Sequence, residues 1–166
     1  YQRVDDPKDA NSLSDQNVYA IFKDREGGLW IGTYFGGVNY VSPRNNYIEH
    51  YYPNNCAYSM SGKAVSQFCE DGQGNIWVAT EDGGLNYFNT ETRRFKVYQP
   101  KDGEAGLSYH NLHALVIDDS RLWIGTFSRG VDVLDLKTGS FTNYQFSADD
   151  EHTIDDNCVF SIYKNR

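Results

Sequence analysis

Short apolar runs separated by Gly, Asn and Asp follow one another along most of the chain. The first group of runs predicts strand a at 18–23, strand b at 29–33, strand c at 38–41 and strand d at 47–51. Strand a is apolar on both faces, which indicates a strand buried on both sides. Strand d includes charged residues such as Glu49, as expected of an exposed edge strand. The pattern predicts an antiparallel sheet with an apolar inner strand and a polar outer strand.

The same group of four runs returns along the chain. A segment of the type Leu-Trp-Ile-Gly-Thr occurs at 29–33, 76–80 and 122–126, and seven residues after each Trp a Gly begins a second matching segment. One apolar residue opens each unit at a constant spacing of 47 residues: Leu13, Met60, Leu107 and Ile154. The predicted units are 12–58, 59–105, 106–152 and the start of a fourth at 153–166.

Four antiparallel strands in a unit of this length describe a β-propeller blade. The predicted fold is therefore all-β, with about three and a half blades of a larger propeller over residues 1–166. Closed propellers typically have about four to eight blades. We therefore expect the remaining blades of a parent chain to be the first partners of this segment.

Composition and charge exclude several classes of function. The net charge of -8 and the scattered Lys and Arg residues argue against nucleic-acid binding by this segment. An apolar run of membrane length does not occur, so direct membrane insertion is not expected. The three cysteines Cys56, Cys69 and Cys158 are odd in number and form no disulfide framework, and the last two fall in predicted strands.

Two recurring features predict structure rather than chemistry. Asp24 and Asp71 each precede a Trp by six residues, in the turn between strands a and b, where a carboxylate can cap turn amides. The third copy of this turn, 118–121, is shorter and lacks Gly, so a different turn type is expected. The Trp residues at 30, 77 and 123 are expected to pack between blades, because large aromatic side chains dominate buried area.

The loops are the better candidates for binding. In an antiparallel meander the d–a and b–c loops share one face, and these loops vary most between the units. Aromatic rings there can stack on sugar rings, while neighbouring polar groups can bond hydroxyls. Ordinary solvated loops are the alternative interpretation. The candidate ligand-binding residues are Tyr34, Phe35, Lys63, Glu81, Asp82, Tyr109, His110, Phe127 and Arg129.

Other site chemistry is not indicated. The acidic clusters 5–6 and 149–151 lack a calcium-loop pattern, and the histidines lack zinc-ligand spacing. Nucleophile, Walker and dinucleotide motifs do not occur, so neither a cofactor nor catalytic residues are predicted. Scattered carboxylates could still pair to hydrolyse glycosides, but the sequence selects no such pair.

The repeat resembles the two-component regulator propeller family. The resemblance is carried by Ser12-Leu13-Ser14, Val18, Ile21, Asp24, Gly27, the segment 29–33 and Gly36 through Asn39, and it recurs in phase over nearly the whole chain. Two copies depart from the pattern, at Ala79 and at Arg129, where Gly is expected. The resemblance implies a seven-bladed propeller in the periplasmic part of a hybrid sensor histidine kinase of Bacteroidetes, an inner-membrane protein that is a homodimer at full length.

That resemblance implies sensing of oligosaccharides to control polysaccharide-utilisation genes, with the kinase and DNA-binding parts elsewhere in the parent protein. The segment itself is then not an enzyme. Two alternatives remain open: a protein-interaction propeller, and a propeller polysaccharide lyase or glycosidase. Fold alone does not decide between them, because propellers support many functions.

Overall fold

The computed structural model describes residues 12–44, 47–54, 56–101 and 106–165. These residues form twelve β-strands in three four-stranded antiparallel sheets, here called blades 1 to 3. Blade 1 comprises β1 (Val18–Lys23), β2 (Leu29–Thr33), β3 (Val38–Val41) and β4 (Ile48–Tyr51). Blade 2 comprises β5 (Val65–Glu70), β6 (Ile76–Thr80), β7 (Gly84–Asn89) and β8 (Arg94–Tyr98). Blade 3 comprises β9 (Leu112–Asp118), β10 (Arg121–Thr126), β11 (Val131–Asp135) and β12 (Phe141–Tyr144).

Each blade is a meander in which consecutive strands pair, so the four predicted strands of each unit are confirmed. The chain forms about three blades of a larger propeller, and the described part contains no helix able to span a membrane. The inner strands of neighbouring blades contact one another, β1 with β5 and β5 with β9. The blades therefore follow one another around an arc, with the first strand of each innermost.

The core lies between the blades. Trp30 and Val38 of blade 1 pack on Phe68, Val78 and Phe88 of blade 2. Trp77 and Leu85, from the opposite face of blade 2, pack in turn on a set of blade 3 residues: Leu107, Leu112, Leu115, Leu122, Ile124 and Leu134. The predicted packing role is confirmed for Trp30 and Trp77, whereas Trp123 is half-buried and stacks beside Tyr144.

The turns between the first two strands are held by aspartate side chains, as predicted. Asp24 accepts hydrogen bonds from Gly28 N at 2.7 Å and from Trp30 Nε1 at 2.9 Å. Asp71 instead accepts from Gln73 N and Asn75 N, and Trp77 Nε1 has no partner among the described residues. The third turn has a different form, confirming the prediction. Only two residues join β9 to β10, and Asp119 has a φ of 52°.

A polar scaffold repeats in the three blades. Asn39, Asn86 and Asp132 are fully buried, and each accepts a hydrogen bond from the backbone N–H of the serine that precedes its blade: Ser14, Ser61 and Ser108. A buried threonine at the end of each second strand donates to the carbonyl of a glycine four residues later: Thr33, Thr80 and Thr126. These bonds satisfy buried polar groups and fix the b–c loop in the same position in every blade.

Strand a is not buried on both sides in blade 1, contrary to the prediction. Ile21 of β1 is 69% exposed and Tyr19 is 56% exposed, whereas Phe68 and Leu115, which replace Ile21 in β5 and β9, are buried. Blades 2 and 3 each have a preceding blade that covers this face. The described residues place no preceding blade against β1, so its apolar pattern has no partner to pack on.

The fourth unit does not form its predicted strand within the described residues. Residues 159–164 repeat the sequence of β1 but belong to no sheet, so Cys158 and its neighbours lie outside strands while Cys69 lies in β5. A strand a pairs with strand b of its own blade, and the sequence stops before that strand. The segment nevertheless docks on blade 3, where Gly130 N donates to Asn157 O at 2.8 Å and Val159 N to Thr126 O at 2.9 Å.

We expect Gly32→Ala to destabilise the propeller by about 1–3 kcal/mol, because an added Cβ overpacks the junction of blades 1 and 2. That Cβ would lie 2.5 Å from Cγ1 of Val65. Urea unfolding of the complete propeller measures the change. Gly72→Ala is the matched control, since its Cβ meets no atom within 4 Å. Equal unfolding midpoints for the two variants would contradict the close-packed junction.

We expect Asp132→Asn to stabilise the propeller at neutral pH. Burial raises the pKa of Asp132 above its usual value, although Ser108 and Asn143 donate hydrogen bonds to it. As pH rises, the Asp132 carboxyl therefore loses its proton in the unfolded chain before it does so in the folded protein. The free energy of unfolding falls over the pH range between these two pKa values. The stability that the variant gains should disappear below the ordinary pKa of aspartate, because the Asp132 carboxyl is then protonated in both states. Unfolding midpoints at pH 3 and pH 7 measure it, and a gain equal at both values would refute the prediction.

Candidate functional site

The face that carries the d–a and b–c loops is built from backbone hydrogen bonds repeated in each blade. The residue after each of the three buried threonines donates its N–H to the loop that precedes the same blade: Tyr34 to Asn17 O, Glu81 to Ala64 O and Phe127 to Asn111 O. A glycine of each b–c loop donates to the next unit: Gly37 to Lys63 O, Gly84 to His110 O and Gly130 to Asn157 O. The predicted grouping of these loops on one face is confirmed, and we call it the loop face.

A β-bulge in the first strand of each blade adds residues that sequence reasoning missed. The pairing register skips Tyr19 in β1, Ser66 in β5 and His113 in β9, and Phe160 occupies the matching position of the fourth unit. A bulge re-aims the side chain of its extra residue. The available signal was that this position changes chemistry from unit to unit inside an otherwise apolar strand.

Blade 1 brings three aromatic rings together on the loop face. Tyr19 stacks on Tyr34 with ring centroids 4.9 Å apart, and Tyr34 meets Phe35 edge-on at 4.4 Å. Phe35 is 67% exposed. Two predicted site residues, Tyr34 and Phe35, are therefore joined by a bulge residue in an accessible aromatic patch, a surface suited to stacking on a ring.

A second cluster on the loop face surrounds His113. Its ring lies 5.8 Å from the ring of Phe127 and 4.7 Å from that of Phe160, and its Nδ1 lies 3.7 Å from Glu81 Oε1. His113 Nε2 and the nearby Asn111 Oδ1 are buried without a hydrogen-bond partner among the described residues. Both atoms are shielded from solvent, so this part of the loop face holds polar groups whose hydrogen-bonding capacity is unmet among the described residues.

The other predicted residues lie outside these two clusters or support the backbone. Asp82 has a structural role: its Oδ1 accepts hydrogen bonds from Lys63 N at 2.8 Å and Ala64 N at 3.1 Å. Tyr109 and His110 form a separate ring pair 4.7 Å apart, outside both clusters. Lys63, His110 and Arg129 are exposed, and their side chains form no hydrogen bond with other described residues.

The acidic cluster 149–151 forms a turn in the structure. Asp150 accepts a hydrogen bond from His152 N and so stabilises its own turn, while residues 5–6 lie outside the described part. Among the described residues, no group of three or more His, Cys, Asp or Glu side chains is placed to hold a metal ion.

Comparison with known proteins identifies the repeat. The family model of the two component regulator propeller matches residues 12–35 and 59–82. The extracellular domain of the putative hybrid two component system BT3049 from B. thetaiotaomicron is 30% identical, with a TM-score of 0.74 over 81% of this chain and 19% of that one. The corresponding domain of BT4673 is 21% identical, with a TM-score of 0.73 over 92% of this chain and 20% of that one, and it shows the fold alone.

The fold is thus that of propeller blades, and two segments of the chain match the two component regulator propeller family, as the sequence resemblance predicted. It spans about one fifth of the length of these solved structures. PorZ of Porphyromonas gingivalis, a surface component of the type-IX secretion system, shares the fold at 16% identity and a TM-score of 0.63, over 98% of this chain and 25% of that one. No curated protein sequence matches the chain.

We expect Asp82→Ala to lower stability by about 1–2 kcal/mol, because charge-assisted hydrogen bonds to two backbone amides are lost. Thermal unfolding of the complete propeller measures the change. Glu81→Gln is the control, since the Glu81 side chain meets His113 rather than backbone amides. An Asp82→Ala variant as stable as the control would return Asp82 to the list of candidate ligand contacts.

Proposed function

We propose that the chain is a ligand-sensing propeller segment from the extracytoplasmic part of a hybrid two-component sensor histidine kinase. It responds to oligosaccharides that bind on the loop face, and the parent protein regulates polysaccharide-utilisation genes. The segment carries no catalysis of its own. The family match and the extracellular domains of two-component systems among its structural relatives support this class of function.

One observation carries the proposal: a constant scaffold presents variable side chains at one place. The buried threonine, serine and Asn or Asp repeat in every blade, yet the residue after the threonine is Tyr34, Glu81 or Phe127. Function is commonly placed on loops above a rigid scaffold. Variation at this position is expected where each blade contributes a different contact to one ligand.

The chemistry of the two clusters favours a sugar. The stacked Tyr19 and Tyr34 offer an aromatic surface for a pyranose face. His113 Nε2 and Asn111 Oδ1 offer buried polar atoms for hydroxyls, and the exposed Arg129 and Lys63 can donate further hydrogen bonds. Our proposal retains the nine predicted positions, with Asp82 as support, and adds Tyr19, His113 and Phe160.

Signalling would then follow from differential affinity. A ligand shifts a receptor only as far as it binds one arrangement more tightly than another. A sugar held by two neighbouring units, for example by His113 of blade 3 and Phe160 of the fourth unit, favours one spacing of those units. In a homodimeric sensor at the inner membrane, that preference would pass from the periplasm to the kinase.

We expect the complete extracytoplasmic region to bind one class of oligosaccharide with micromolar affinity, and Tyr34→Ala and Arg129→Ala to weaken binding at least about tenfold. Isothermal titration against a panel of oligosaccharides measures both. Thermal unfolding of each variant tests that the fold is retained.

The outcomes separate the alternatives. Binding unchanged in both variants would contradict a site on the loop face. Failure to bind any sugar, together with capture of a protein partner, would favour the interaction-scaffold hypothesis. Release of shortened products from polysaccharide by the purified protein would favour a lyase or glycosidase.

A further inference from the structure

A cavity of about 620 Å³ opens between blades 1 and 2 on the face opposite the loop face. Its wall is formed by the a–b turns of both blades and the c–d turn of blade 2, and its floor by aromatic rings including Tyr40 and Tyr51. Ligand pockets commonly measure about 300–1,000 Å³. None of the nine predicted site residues lines this cavity, which we call the turn-face cavity.

Arg93 reaches the turn-face cavity from an unfavourable backbone conformation. It closes the β7–β8 turn with a φ of 58°, and its N–H donates to Asn89 O at 2.8 Å. The β11–β12 turn has the same form, with Gly139 at a φ of 76° and its N–H on Asp135 O at 2.8 Å. This left-handed backbone region favours glycine, so an arginine at position 93 strains the backbone of the β7–β8 turn.

Two arginines cross the blade junction on either side of the cavity, in opposite directions. Arg25 of blade 1 donates to Glu70 Oε1 of blade 2 at 2.8 Å and to the carbonyl of Asp71. Arg93 of blade 2 donates to Glu49 and to the hydroxyl of Tyr51 of blade 1, with its guanidinium over the Tyr51 ring. More than half of each arginine side chain remains exposed, so both keep donors for a ligand.

The lining carries both signs of charge. Besides the two arginines it contains the carboxylates of Asp24, Glu26, Glu70 and Glu91. Burial and the negative charges of Asp24 and Glu26 raise the pKa of Tyr40. An anion would meet these carboxylates and a cation would meet the arginines. A neutral hydroxyl both donates and accepts, so it can bond to either kind of group without a charge penalty.

We propose that the turn-face cavity binds a neutral, hydroxyl-rich ligand, a saccharide unit, between Arg25 and Arg93 and against the aromatic rings of Tyr40 and Tyr51. This site is separate from the loop face and stands whether or not the loop face binds a ligand. A ligand there contacts two blades at once, so it bridges their junction.

The decisive variant is Arg93→Gly, because it removes the side chain and places at this turn the residue that blade 3 already uses. We expect the thermal midpoint of the complete propeller to stay unchanged or rise, and the affinity for neutral hexose or pentose oligosaccharides to fall about tenfold or more. Isothermal titration with these sugars, with matched uronic-acid oligosaccharides and with amino-sugar oligosaccharides measures affinity and charge preference. Arg25→Ala is the second variant and should weaken binding similarly.

Arg121→Ala is the matched control and should leave binding unchanged, because Arg121 is an exposed arginine beside the a–b turn of blade 3 that does not line the turn-face cavity. If Tyr34→Ala abolishes all sugar binding while Arg93→Gly and Arg25→Ala do not change it, the proposed loop-face function stands and the turn-face site is refuted. If Arg93→Gly lowers the thermal midpoint but leaves the affinity for sugars unchanged, Arg93 only links the two blades and the proposed site is refuted. Preference for the charged sugars, or no binding of neutral ones at millimolar concentration, would also overturn the proposal.

Discussion

A propeller blade has two apolar faces and cannot bury either of them by itself. In this chain Trp30 and Trp77 each fill the space between their own blade and the next, and the largest buried side chains lie at these junctions. Because burial of apolar area is the main driving force for folding, a blade is stable only in contact with its neighbours. The exposed β1 shows the same dependence from the other side: Ile21 is exposed, whereas Phe68 and Leu115 at the same position of blades 2 and 3 are buried, because a preceding blade covers them.

Close packing at the junctions also determines where chemistry can vary. Gly32 and Gly125 leave no room for a side chain against the next unit, and the buried threonines and half-buried serines hold the loops in one position. The identity of a residue can therefore differ between units only at the ends of strands and in the loops. The loop face carries such changes between units in its bulges and b–c loops, and the opposite face carries them in its turns, where Arg93 stands in for glycine.

Much of the fold could be predicted from the sequence because the period repeats both the apolar pattern and the turn residues. The strands of blades 1 to 3, the outer position of each fourth strand and the turn-capping role of Asp24 all follow from local patterns. Burial of β1 and pairing of residues 159–164 could not be predicted, because both depend on blades outside the described residues. The apolar pattern of β1 therefore predicted the strand correctly and its burial incorrectly.

The candidate site was predictable as a face but not as a set of contacts. Loop position identified Tyr34 and Phe127, but Tyr19 and His113 join them through a bulge, and a bulge depends on pairing register rather than on composition. Asp82 was predicted as a ligand contact because it is polar and on a loop; the structure adds that its carboxylate accepts hydrogen bonds from the backbone of its own blade. Arg93 was overlooked because the strain of its turn is visible only when its φ is compared with that of Gly139.

The docking of the fourth unit has a consequence for how such a chain folds. Gly130 N on Asn157 O and Val159 N on Thr126 O hold this segment against blade 3 although it has no hairpin partner of its own. A finished blade thus offers a template to the next stretch of chain, and these two contacts span 27 and 33 residues, less than the repeat of 47. Short sequence separation keeps the entropy cost of each loop closure low. Blades can therefore be added one at a time, each docking on the blade that precedes it.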